Sequence, residues 1–140
     1  MEKLLTNIVT INATADQARK ILANPVHLLK WVPEIETVNQ DEHSFTVTRS
    51  QGALNHFEVI TVEAVDSRII YHSRQGRLAY DLAFTLTEAD HHLQIQETLF
   101  ADTTKIGLPV KLIAPIAKHA LAINLMNLGR LIEGMTQVSS

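Results

Sequence analysis

Glu97 is the ionisable residue whose setting fits solvent least well. It alternates with Leu93, Ile95 and Leu99 in a segment of period-two hydrophobicity, so a strand here turns it inward with them. A buried, unpaired carboxylate is costly and must be paired, hydrogen-bonded or protonated. Glu97 therefore reads as a general acid or base, a ligand anchor, or a structural hydrogen-bonding group. Asn124 and Asn127 are its expected partners. Tyr71 and Tyr80 share the inward parity, and each adds a hydroxyl to the packing of its ring. Arg49, His56, Glu58 and Gln75 also fall on the inward parity, close to turns. They read as a polar rim that orients a ligand head group, or as side chains solvated where the sheet outruns its cover. His56-x-Glu58 puts two metal-ligand types on one strand face, but a third ligand at bonding distance is lacking, so no metal and no cofactor are expected. The chain has no GxSxG, HExxH, Walker-type or GxGxxG pattern. Glu97 is a catalytic candidate without an assigned role.

Composition narrows the classes. The chain has 140 residues, 12 Lys plus Arg against 15 Asp plus Glu, a net charge of −3, and 46% hydrophobic residues. That is enough apolar material for one core, so a single domain over residues 1–140 is expected and disorder is not. A weakly acidic chain without a basic run is a poor nucleic-acid binder. No uninterrupted apolar run reaches about 18 residues, which argues against a membrane span. The first residues lack the pattern of a signal peptide, and the cysteine count is zero, so a cytoplasmic setting is expected.

The elements that position these residues follow from pattern. Leu4 to Ala13 reads as a strand. Thr14 and Gln17 form a capping box ahead of a short helix over 15–23. Asn24 caps a second short helix with Pro25 at its first position, and Pro33 ends it near Trp31. Period-two segments then run at roughly 34–39, 43–50, 54–65, 68–75, 78–88 and 91–101. Turn signals at 41/42, 52/53, 66/67, 75/76 and 89/90 separate them. Two-residue turns at the last four fix the register. They set Phe45, Ile60, Ser73, Leu78 and Ala101 in one row, and Val62, Tyr71, Tyr80 and Leu99 in the next. A third row holds Ala64, Ile69, Leu82 and Glu97, with Phe84 opposite Ile95 and Leu86 opposite Leu93.

Val110 to Gly134 has helical period, with a kinked or separate first turn at Pro115 and a glycine C-cap at Gly134. On a helical projection one arc gathers Ile113, Ile116, Ala117, Ala120, Ile123, Asn124, Asn127, Leu128 and Leu131, which is taken as the inward face. Leu121, Leu125 and Ile132 form a second strip, for packing on the first strand and short helices or for a homodimer. The fold class is therefore α+β: a seven-stranded antiparallel sheet with two short helices after strand 1 and a long C-terminal helix across its concave face. The small residues Ala117, Ala120 and Gly134 face a sheet in a chain with only 4 Phe, 2 Tyr and 1 Trp. Such a face either draws the helix close or leaves a cavity. Tyr71, Tyr80, Phe84, Glu97, Ile116, Ala120 and Asn124 are its expected lining, with Arg49, His56, Glu58 and Gln75 at the mouth.

This layout resembles the helix-grip fold of the START-like superfamily, and within it the polyketide cyclase/dehydrase-like SRPBCC branch, across essentially the whole chain. The resemblance is carried by Ile8 to Ala13 leading into a capped helix, by Leu28-Leu29-Lys30-Trp31-Val32-Pro33, and by Arg68-Ile69-Ile70-Tyr71-His72-Ser73. The tail from Leu112-Ile113-Ala114-Pro115-Ile116 through Leu131-Ile132-Glu133-Gly134 looks like the family's closing helix. Tyr71 stands where that strand often has tryptophan, and no family-wide catalytic motif carries over. The resemblance implies a cavity for a small hydrophobic or aromatic molecule, with its mouth at the end of the sheet that carries Arg49 and the loop 102–109. A cofactor-free cyclase or dehydratase using Glu97 or the tyrosines, and an interaction module with a filled core, are the alternatives.

Overall fold

The computed structural model describes residues 1–107 and 109–138. Strand β1 (Glu2–Ile11) leads to α1 (Ala15–Leu22), a single 3-10 turn (Pro25–His27) and α2 (Leu28–Trp31). Strands β2 (Ile35–Gln40), β3 (Phe45–Arg49), β4 (Phe57–Val65), β5 (Arg68–Arg74), β6 (Ala79–Ala89) and β7 (His92–Asp102) follow, and α3 (Val110–Val138) closes the chain. One antiparallel sheet has the order β1-β7-β6-β5-β4-β3-β2, so the first and last strands pair and β2 forms the far edge.

The local chemistry of the helix starts is as the sequence requires. The Gln17 amide donates to Thr14 Oγ1 at 3.2 Å and the Thr14 amide to Gln17 Oε1 at 2.9 Å, which caps α1 from both sides. The Val26 amide donates to Asn24 Oδ1 at 3.2 Å, with Pro25 at the first position of the turn. These caps fix the short helices over one end of the sheet, where Ala18, Leu22, Leu28 and Trp31 are buried in the main core with Phe84, Leu93, Ile95, Leu125, Leu128 and Ile132.

Two of the four registers differ from the expected ones. β3–β4 and β4–β5 pair as predicted, with Phe45 opposite Ile60 and Val62 opposite Tyr71. Between β5 and β6 a four-residue loop, Gln75, Gly76, Arg77 and Leu78, replaces the two-residue turn, with Gln75 at φ 67°. Tyr71 therefore faces Leu82, and Tyr80 faces Ser73. Between β6 and β7 the turn is Asp90-His91, both at positive φ, one residue beyond the expected Ala89-Asp90. Glu97 consequently lies opposite Phe84 rather than Leu82. Each correction is a shift of two residues along the partner strand, which preserves parity, so the inward set is unchanged.

Helix α3 runs parallel to β1. Lys118 Nζ donates to Thr6 O at 2.6 Å, Gly129 lies against Ile11 and Val9, and the Asn12 amide donates to Glu133 Oε2 at 3.0 Å. The inward face includes both groups: Leu125 and Ile132 of the second strip are buried with Leu128 of the arc, and Ile113, Ala117 and Asn124 of the arc face the sheet side, whereas Ile116 is 73% exposed and Ile123 46% exposed. The strip is therefore core, and it is not available as a dimer surface. Apolar residues occur all round this helix, so periodicity alone did not fix its rotation. The helix continues through Pro115 and beyond Gly134, whose φ is not positive. By length and composition Val110–Met135 could also cross a membrane; here its second half packs on β1, α1 and α2.

Candidate functional site

The first half of α3 does not close on the sheet. A cavity of about 670 Å³ lies between them, in the range of pockets for drug-sized molecules. Its floor is Ile60, Tyr71, Leu82 and Leu99 from the sheet, and its roof is Ile113, Ile116, Ala117, Ala120, Leu121 and Asn124 from α3. Leu28, Trp31 and Val32 wall one side, and Gly52 to Asn55 of the β3–β4 loop wall another. Ala117 and Ala120 add little bulk to this face of the helix, and the space beneath it is unfilled.

One end of the cavity is polar and densely hydrogen-bonded. Arg49 Nε and Nη2 donate to Glu58 Oε1 at 3.0 and 2.6 Å, Nη2 also reaches Tyr80 Oη at 3.1 Å, and Nη1 donates to Glu34 Oε1 at 2.5 Å. Tyr80 in turn donates to Glu58 Oε1 at 3.1 Å. The other Glu58 oxygen accepts from Asn55 Nδ2 at 3.0 Å and Ser73 Oγ at 2.7 Å. Asn55 also brackets Leu78, accepting from its amide at 2.7 Å and donating to its carbonyl at 2.8 Å. Gly76 makes room for this: a Cβ there would stand 2.7 Å from the Asn55 side chain.

The electrostatics follow from burial and partners. Burial opposes the Glu58 charge, but Arg49 and the donors Asn55 and Ser73 outweigh it and hold the carboxyl below its ordinary range. Burial likewise opposes the Arg49 charge, while Tyr80, Glu58 and then Glu34 raise its pKa. Burial pushes the Tyr80 phenol up; Arg49 opposes the shift and Glu58 adds to it. Tyr71 is pushed up by burial and then by Tyr80, and its hydroxyl is committed to Leu22 O at 2.5 Å.

Of the residues expected in the lining, Tyr71, Tyr80, Ile116, Ala120 and Asn124 are there. Phe84 is not: it is fully buried behind the wall, edge-on to Tyr71 at 5.5 Å and to Trp31 at 6.2 Å. Glu97 is not in the lining either. It is fully buried toward β1, where Asn7 Nδ2 donates to its Oε1 at 3.5 Å and its Oε2 has no hydrogen-bond partner. Burial raises its pKa to about 8 against the weak opposing bond from Asn7. Asn127 instead donates to Trp31 O at 3.3 Å.

Of the expected mouth residues, Arg49 lines the cavity, Glu58 is fully buried behind it, and His56 and Gln75 are exposed outside the lining. Residue 108 of the loop 102–109 lies outside the described residues. Glu34 and Asn55 were missed. Both lie outside the strands, and contacts between loops leave no periodic signal.

No family model matches the chain, and no curated protein does. Solved structures do. A START superfamily protein from Mycobacterium smegmatis is 16% identical with a TM-score of 0.66, and the match covers 99% of each chain. XoxI from Bacillus cereus is 12% identical with a TM-score of 0.75, covering 94% of this chain and 96% of that one. The di-domain ARO/CYC BexL from the BE-7585A biosynthetic pathway is 15% identical with a TM-score of 0.68, covering 93% of this chain and 48% of that one. At such identities the likeness is one of fold, and by its sheet, its capped short helices and its long closing helix this chain has the START-like, polyketide cyclase-like helix-grip fold.

Proposed function

We propose that the chain binds one small, largely apolar molecule in the cavity between the sheet and α3. The observation that carries this reading is the contrast within a single cavity: aliphatic and aromatic walls, with hydrogen-bonding groups gathered around Arg49, Tyr80 and Asn55. That arrangement suits a ligand whose body is held by burial and whose orientation is set by a few polar contacts. Asn124 adds a side-chain amide to the roof.

Binding is favoured over acid–base catalysis because the ionisable candidates are otherwise engaged. Glu97 lies away from the cavity, the Tyr71 hydroxyl is held by Leu22 O, and Glu58 is enclosed by its donors. Burial of Leu125 and Ile132 removes the surface on which the interaction-module alternative rested.

Native mass spectrometry before and after addition of the neutral reporter N-phenyl-1-naphthylamine tests the proposal. The expected result is a one-to-one complex. Detection of the bare chain alone at saturating reporter would overturn it.

A further inference from the structure

The charge at the polar end limits what the cavity accepts. Among the described residues Arg49 is the only cation in the lining, and it faces two carboxylates, Glu58 at 2.6 Å and Glu34 at 2.5 Å. Its four contacts use four of the five guanidinium hydrogens. With Glu58 ionised against Arg49, the Glu34 carboxylate leaves this end with an excess negative charge. The excess borders a wall of Leu, Ile and aromatic side chains on the cavity side, and water screens it on the other. Glu34 is also held in place: the Ser50 amide donates to its carbonyl at 2.9 Å, and the next residue, Ile35, pairs with Arg49. Its side chain is 46% exposed, so it meets both the cavity and solvent.

Resting on the binding reading above, we propose that the cavity takes an uncharged apolar molecule bearing a hydroxyl, and that Glu34 is the residue that disfavours carboxylates. A ligand hydroxyl can donate to a Glu34 oxygen and accept the remaining Arg49 hydrogen without displacing either partner. A ligand carboxylate has no donor to offer. It can accept the remaining Arg49 hydrogen but gives nothing to Glu34, and it brings a further negative charge next to Glu34 and Glu58.

Competition against N-phenyl-1-naphthylamine fluorescence at pH 7.5 tests this, with 1-dodecanol and dodecanoate as matched competitors and wild type beside Glu34→Gln. Gln keeps the shape of the side chain and an acceptor for Arg49 while removing the charge. Alcohol and acid differ in how strongly water holds them, so the decisive quantity is the change from wild type to variant. Dodecanoate should gain roughly tenfold in affinity in the variant, while dodecanol changes by less than about threefold. Reporter binding with dodecanoate affinity unchanged in Glu34→Gln would overturn the charge assignment and leave the binding reading standing. Absence of saturable reporter binding in the wild type would remove both.

Discussion

Arg49 places two donors on a single oxygen of Glu58, Nε at 3.0 Å and Nη2 at 2.6 Å, with the Glu58 side chain wholly out of solvent. The pair joins β3 to β4 one row from the β3–β4 loop, and through Tyr80, Ser73 and Asn55 it ties four chain segments to the polar end of the cavity.

Removing one member of a buried pair leaves the other uncompensated. Glu58→Ala should therefore destabilise the fold by about 3–5 kcal/mol. The pH dependence has a definite sign. The folded pKa of Glu58 is depressed, so its contribution is present above the ordinary value of 4.5 and is lost as pH falls through the lower folded value. Urea midpoints between pH 3 and pH 7 for wild type and Glu58→Ala would check both statements; the two curves should converge toward acid.

Glu97 behaves in the opposite sense. Its folded pKa of about 8 exceeds the ordinary 4.5, so the unfolded chain releases the proton first, and stability falls as pH rises between these values. Lys118 is the nearby cation, but it bonds Thr6 O and Asn7 Oδ1, and Asn7 stands between it and the carboxyl. Glu97→Gln should thus be more stable than wild type at pH 7, by on the order of 3 kcal/mol, with the difference vanishing below pH 4.5. Thermal or urea midpoints across this range measure it. A loss of stability in the variant at pH 7 would contradict the dominance of desolvation.

The inward parity of every central strand was legible in the sequence, because alternation is set by which side chains avoid water. Glu97 and the tyrosines were correctly turned inward on that basis. Their exact neighbours were not legible. Gln75 and His91 adopt left-handed backbone without being glycine, so the turns are placed differently from the Gly- and Asp-based expectation. Parity also cannot say which inward residues meet a void. Phe84 and Glu97 share a face with Tyr71 and Leu82, yet they lie beneath the packed part of the fold while Tyr71 and Leu82 lie beneath the open half of α3. Which part of α3 packs closely on the sheet decides that, and apolar residues run along its whole length.

Gly129 marks where α3 touches β1. A Cβ there would approach Ile11 Cγ2 to 3.0 Å, so the buried Ile11 has to shift by a few tenths of an ångström to admit it. Alanine also gains about 1 kcal/mol of helix propensity over glycine, so Gly129→Ala should be nearly neutral. Gly129→Leu has no room and should cost about 1–3 kcal/mol by forcing the helix off the strand. Chemical denaturation of the two variants separates these outcomes.

Tyr71→Phe removes the bond to Leu22 O and leaves that carbonyl buried without its donor, a loss of about 1–3 kcal/mol. Because the hydroxyl is used on Leu22, reporter affinity in the folded variant should change by less than about threefold. A large loss of binding with little loss of stability would show that the hydroxyl serves the ligand instead.

The central claim is that the space under α3 is a binding site, and Ala117→Trp tests it most directly. Ala117 lies in the roof at the edge of the core, where a tryptophan side chain takes up cavity volume. Fluorescence titration of wild type and variant with N-phenyl-1-naphthylamine, alongside their thermal unfolding, gives the answer. The prediction is saturable one-to-one binding in the wild type and at least about a tenfold weaker affinity in a variant that unfolds at a similar temperature. Equal binding in the two proteins would contradict the account, because the reporter would then be held somewhere other than the cavity.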